Sequence, residues 1–230
     1  MYHQSWSPEA KTEFEKIISA HGGWRAWSQF SDFSFTIKQF SGFLLLVKGQ
    51  HRSFNSPQSA TINPKTKTLI FDYGTHQDTY ADGKLILASG KTVEDGKTLF
   101  TKGVFEQWTP AHMLYFFGYA LVNYAGYPFI LPEHELLNYQ LNENKSYFEI
   151  RFPEGFRTHS RVQRFYFDKR HLLVRHDYRA ELAGPFVFGA HETHDYKEYK
   201  GLQMAQTRKV KPRFWKWGFR PYGIYAELIF

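Results

Sequence analysis

Apolar positions near the N-terminus recur with a helical period. Phe14, Ile17, Ile18 and His21 fall at i, i+3, i+4 and i+7 and form one stripe. Ser7 suits an N-cap, Pro8 the first turn and Glu9 the positive end of the helix. Gly22-Gly23 ends the run, and Trp24 and Trp27, three apart, suit a short second turn. The pattern predicts helix over Ser7–Phe30.

From Phe33 the period changes to two. Phe33, Phe35 and Ile37 point one way, and Ser34, Thr36 and Lys38 the other. Phe43–Lys48 reads as a buried strand. Asn63-Pro64, Ala81-Asp82-Gly83 and Glu94-Asp95-Gly96 are turn signals, with short strands Thr68–Tyr73 and Lys84–Ala88 between them. The last third alternates again, over Ser146–Phe152, Val162–Asp168, Leu172–Leu182, Glu192–Tyr199, Gln203–Val210 and Ile224–Phe230. Lys169-Arg170-His171 reads as a hairpin turn. Short strands separated by turns signal a β-sandwich or barrel rather than βαβ units.

The middle breaks the alternation. Ala111–Leu131 is 21 residues without Asp, Glu, Lys or Arg. Gly118, Asn123, Gly126 and Pro128 interrupt it, and strands flank it. It reads as a helix over Pro110–Ala125, apolar nearly all round and buried against or inside the sheet. The chain thus divides as one domain, 1–230: a helical segment 1–30, strands 33–109, an apolar helix or lid 110–131, and strands 146–230.

Composition sharpens this picture. The chain of 230 residues has 23 Phe against 18 Leu, and aromatic residues make up 19%. Aromatics suit strands and wide cores, and as a set they also suit the wall of an apolar cavity. Net charge is +7, but the basic residues alternate with apolar ones as solvated strand faces do, and no nucleic-acid motif accompanies them. No nucleic-acid partner is expected. There is no cysteine, so there is no disulfide, thiolate nucleophile or thiolate metal site. The N-terminus has no apolar stretch of signal-peptide type, so a cytoplasmic location is expected.

Candidate chemistry is sparse. GxSxG, GxGxxG and GxxxxGK[ST] are all missing. Period two over Leu172–Leu182 places His176 and Tyr178 with Leu172 and Val174, facing inward. Arg175, Asp177 and Arg179 take the wet face. His194 and Tyr196 share a face of the next strand. A metal held by two such histidines and Glu192 stays open, but without close ligand spacing no metal or other cofactor is expected. The preferred reading is a hydrogen-bonded His–Tyr pair tuning a cavity. The segment Arg213–Arg220, with Trp215 and Trp217, suits transient contact with a membrane surface or a packed aromatic loop.

Three stretches carry a family resemblance. The hairpin Gln163-Arg164-Phe165-Tyr166-Phe167-Asp168 with Leu172-Leu173-Val174-Arg175-His176-Asp177-Tyr178 resembles one repeated in a group of small uncharacterised bacterial proteins. His21-Gly22-Gly23-Trp24-Arg25-Ala26-Trp27 and Lys209-Val210-Lys211-Pro212-Arg213 are similar to the same group. That group is similar in turn to the bacterial lipoprotein-carrier superfamily, LolA/LolB-like. The resemblance implies a mainly β fold: a strongly curved antiparallel sheet, or half-open barrel, with a helix on its concave face as plug or lid. It implies acyl-chain binding there and brings no catalytic residue.

The expected function is binding of a lipid-like or other apolar small molecule, with Trp108, Phe116, Tyr119, Tyr124, His176 and Tyr178 lining its cavity. The alternative is an enzyme on the same scaffold, a cyclase, isomerase or hydrolase, with His176, Tyr178 or His194 as acid–base groups. A partner-binding module is a third reading.

Overall fold

The computed structural model describes residues 1–37, 39–41, 45–46, 48–50, 57–94, 107–143, 145–158, 160–179, 188–213 and 226–229. The fold is mainly β. Helix α1 (Pro8–Ala20) starts where Ser7 accepts a hydrogen bond from the Ala10 N–H at 3.2 Å. It buries Ala10, Phe14, Ile17 and Ile18. It stops at Gly22 and Gly23, with φ of 112° and 81°. Helix α2 (Gly23–Gln29) follows, and its Trp27 stacks on Phe129 at 4.7 Å.

The strands form two antiparallel sheets. The first contains β1 (Phe33–Thr36), β3 (Ser59–Asn63), β4 (Thr68–Asp72), β5 (Gln77–Ala81), β6 (Lys84–Ile86) and β7 (Thr92–Glu94), in the order β1-β3-β4-β5-β6-β7. The second contains β2 (Gln39–Ser41), β8 (Glu135–Asn142), β9 (Lys145–Arg151), β10 (Val162–Asp168), β11 (Leu173–Arg179), β12 (Phe188–Tyr199), β13 (Leu202–Arg213) and β14 (Ala226–Ile229). Its order is β2-β14-β13-β12-β11-β10-β9-β8. The chain leaves β1, an edge of the first sheet, and within two residues enters β2, an edge of the second. The strands therefore make a half-open wall whose far edges, β7 and β8, do not pair with each other among the described residues.

Helix α3 (Pro110–Gly126) lies between the two sheets as a plug. Thr109 caps it: its hydroxyl accepts from the His112 N–H while His112 Nδ1 accepts from the Thr109 N–H. Met113–Gly126 are all buried, as a charge-free helix requires. One side meets the first sheet, where Gly118 packs on Tyr80. The other meets the second sheet, where Tyr124 packs on His176 and His191. Helix α1 covers another part of the second sheet, with Phe14 against Phe148 and Phe167.

Three sequence expectations need comment. Of the buried strand expected at Phe43–Lys48, Leu45 and Leu46 are helical and Lys48 is in a turn, and the other residues lie outside those described. The expected face of β11 is altered by a bulge: Arg175 pairs with Tyr166 and Leu173 with Phe167, so Val174 is the extra residue. Leu173 is consequently buried and Val174 only half-buried. Asp177, expected to be wet, is 3% exposed. Arg175 donates to it at 2.6 and 2.5 Å, and Arg213 and the Tyr166 hydroxyl also donate. This carboxylate is buried because its charge is paired.

Candidate functional site

Where α3 meets the second sheet, polar side chains gather in the core. His176 on β11 and His191 on β12 are direct cross-strand partners with ring centroids 4.6 Å apart, and both are fully buried. Tyr124 of α3 sets its ring edge-on to His191 at 4.4 Å. Tyr178 lies 5.0 Å from His176 and is hydrogen-bonded to Tyr124. Burial pushes the phenols of Tyr124 and Tyr178 up from their ordinary range, so both stay protonated at neutral pH.

A second network fixes the ends of these strands. His21 Nδ1 lies 2.8 Å from the Ile17 carbonyl, and its Nε2 accepts from the Leu173 N–H at 3.3 Å. The Leu173 carbonyl accepts from the Tyr196 hydroxyl at 2.6 Å and from the Thr193 hydroxyl. Burial pushes His21 down to about 4, opposed by the Ile17 carbonyl and Asp168.

Beside this cluster is a cavity of about 110 Å³, at the gap where the two sheets part. Its inner wall is Leu121, Tyr124 and Ala125 of α3, Ile62 of β3, and Ala205 and Arg208 of β13, all buried. Its mouth is Phe33 and Phe35 of β1, Tyr199 of β12 and Met204 of β13, all half-buried. Ser34 and Gln206 add polar lining, and the buried inner wall is apolar except at one end. There Arg208, 6% exposed, lays its guanidinium over the Tyr124 ring at 4.9 Å. It donates to the Tyr124 backbone carbonyl at 3.4 Å. Burial lowers its pKa, opposed by Tyr196, Tyr124 and Tyr127, but a guanidinium keeps its proton at neutral pH.

The residues expected to line one cavity fall into two groups. Tyr124, His176 and Tyr178 come together. Trp108, Phe116 and Tyr119 form an aromatic group toward the start of α3, with Trp108 and Tyr119 each 5.5 Å from Phe116 and Tyr119 near enough to Tyr124 to act on its phenol. Of the six, Tyr124 is on the wall of the cavity just described. His194, expected to face inward, is exposed and lies 3.6 Å from Glu192. The cause is Asp195, whose φ of 56° breaks the alternation, so that Tyr196 turns inward while His194 does not. The inward histidine of β12 is His191, which the sequence reading missed by starting that strand at Glu192.

Arg208 was also missed. Its place between Thr207 and Lys209 reads as a wet basic face, and no local signal marks it as buried. Among the described residues, no three His, Asp or Glu side chains are grouped to hold a metal ion. No helix among them is long and apolar enough to cross a membrane. Trp215 and Trp217 lie outside the described residues.

No family model matches the chain, and no curated protein matches it. Among solved structures it is similar to a DUF1329 family protein from Desulfovibrio piger ATCC 29098, at 12% identity and a TM-score of 0.43, over 95% of this chain and 90% of that one. It is also similar to a LolA superfamily protein from Nitrosomonas europaea, at 8% identity and a TM-score of 0.44, over 93% of this chain and 89% of that one.

Proposed function

We propose that this protein binds a lipid-like or otherwise apolar small molecule in the cavity between α3 and the two sheets. The observation that carries this is the lining: it is mostly apolar and aromatic, with Ser34, Gln206 and Arg208 as its polar members, and the mouth is ringed by Phe33, Phe35, Tyr199 and Met204. A cavity of about 110 Å³ is of the order that holds one small aromatic ring or a short stretch of chain. A longer chain extends past the mouth, where Met204 is flexible enough to make way. The acid–base alternative has less to stand on. His194 is on the solvent side, and His176 and His191 stand behind Tyr124 rather than on the cavity wall.

The test is titration with N-phenyl-1-naphthylamine, a neutral probe that fluoresces when it leaves water. Saturable binding near one per chain is expected. Ala125→Leu, which fills the cavity from α3, should weaken it by about tenfold, the effect of losing one or two buried methylene contacts. Binding without saturation, or unaffected by Ala125→Leu, would place any apolar site elsewhere. Native mass spectrometry of freshly purified protein would show a co-purified ligand directly.

A further inference from the structure

Arg208 is a deeply buried cation in the otherwise apolar inner wall of the cavity, and its bonding is incomplete. Among the described residues its one hydrogen bond goes to the Tyr124 carbonyl, in the last turn of α3. Its other terminal nitrogen, Nη1, is buried without a hydrogen-bond partner. Among the described residues no carboxylate pairs with it.

The neighbouring groups are committed elsewhere. Thr193, opposite Arg208 on β12, and Tyr196 both give their hydroxyls to the Leu173 carbonyl. Glu192 lies 2.7 Å from Lys211 and 3.6 Å from His194. Two half-buried arginines of the same fold have a counter-ion: Arg175 and Arg213, each about a quarter exposed, share Asp177. Arg208 is more deeply buried than either and has no such partner among the described residues. The helix C-terminus and the Tyr124 ring offset part of its charge, because both present partial negative charge to a cation. Neither replaces a counter-ion, and a guanidinium cannot escape the cost by losing its proton.

We infer that the ligand is an amphiphile with a carboxylate head, its chain lying against Leu121, Ala125 and Ile62 and its acid group held by Arg208. This rests on the binding function proposed above and adds the chemical class of the ligand. A planar carboxylate matches the guanidinium fork, and one such head neutralises one such cation.

The experiment compares octanoate, 1-octanol and methyl octanoate as competitors of N-phenyl-1-naphthylamine at pH 7.5. These share a chain and differ in the head. Octanoate should compete about tenfold more strongly than the other two, the least expected of a charge-assisted hydrogen bond. In Arg208→Met that preference should vanish while competition by 1-octanol stays within about threefold. Equal competition by acid, alcohol and ester in the unmodified protein would overturn the acid-binding inference and leave apolar binding standing. A preference for octanoate that survives Arg208→Met would overturn it too, by placing the acid group elsewhere. No saturable binding of any of the four compounds would remove both. The comparison in the unmodified protein decides the matter even if the variant does not fold.

Discussion

Gly118 lies so close to Tyr80 that a Cβ built on it would sit 2.6 Å from Cγ and Cδ2 of that ring and 2.8 Å from its Cβ. From sequence, a glycine in the middle of a helix reads as local weakness, a cost of about 1 kcal/mol against alanine. Here it is the point at which α3 rests on β5. Gly118→Ala should therefore destabilise the protein by about 1 kcal/mol, because crowding at the root of a buried ring outweighs the gain in helix propensity. Urea unfolding measures the sign. A more stable variant would mean that α3 has room to shift along the sheet.

His21 should make stability depend on pH. Its folded pKa is lowered to about 4 from an ordinary 6.5, so between those values the unfolded chain binds a proton that the folded one refuses. Stability is then full above pH 6.5 and is lost progressively as pH falls through the window toward 4. From pH 7 to pH 5 the loss should be about 2 kcal/mol from this group. His134, also lowered to about 4 by burial, adds in the same direction. Unfolding curves at the two pH values, with nuclear magnetic resonance titration of the His21 ring, check this. A ring that titrates near 6.5 would contradict it.

Asp177 holds two arginines at the end of the second sheet. Asp177→Ala should cost about 2 kcal/mol, less than for a fully buried pair because Arg175 and Arg213 are partly solvated. Adding Arg213→Met to that variant should recover part of the loss, since one unpaired cation is removed. A double-mutant cycle by chemical denaturation gives the coupling. Strict additivity would show that the pair is not coupled.

Helix α3 should exchange its amide hydrogens as slowly as β10, β11 and β12, because Met113–Gly126 are covered by both sheets. Octanoate should add protection at β1 and β13, which form the cavity mouth, more than along α3. Fast exchange over α3 in the free protein, slowed throughout by octanoate, would instead make it a lid that opens.

Much of the fold is legible from local pattern. The start of α1 follows from the Ser7-Pro8 cap and apolar periodicity, and α3 follows from the charge-free run that begins after Pro110. The hairpin between β10 and β11 follows from its turn, where Asp168 accepts the N–H groups of Arg170 and Leu172. That α3 is buried follows from a run of residues with no full charge to solvate. These features depend on neighbours in sequence, and a sequence displays its neighbours.

The enclosed polar cluster was legible only in part. The pattern turns His176 and Tyr178 inward and puts Tyr124 on a buried helix, but it marks neither His191 nor the cation Arg208. Period two assumes an unbroken extended backbone. One residue in the left-handed region, Asp195, and one bulge, at Val174, are enough to change which side chains face inward. Charge is harder still. Asp177 and Arg208 both sit on strand faces that read as wet, and both are buried. Burial of a charge depends on what lies opposite it: Arg213, 36 residues from Asp177 in the chain, and Tyr124, 84 residues from Arg208. The sequence by itself determined the elements and the apolar character of the plug. Only the packing of α3 between the two sheets decided which polar groups are enclosed with it, because enclosure is a property of distant surfaces brought together.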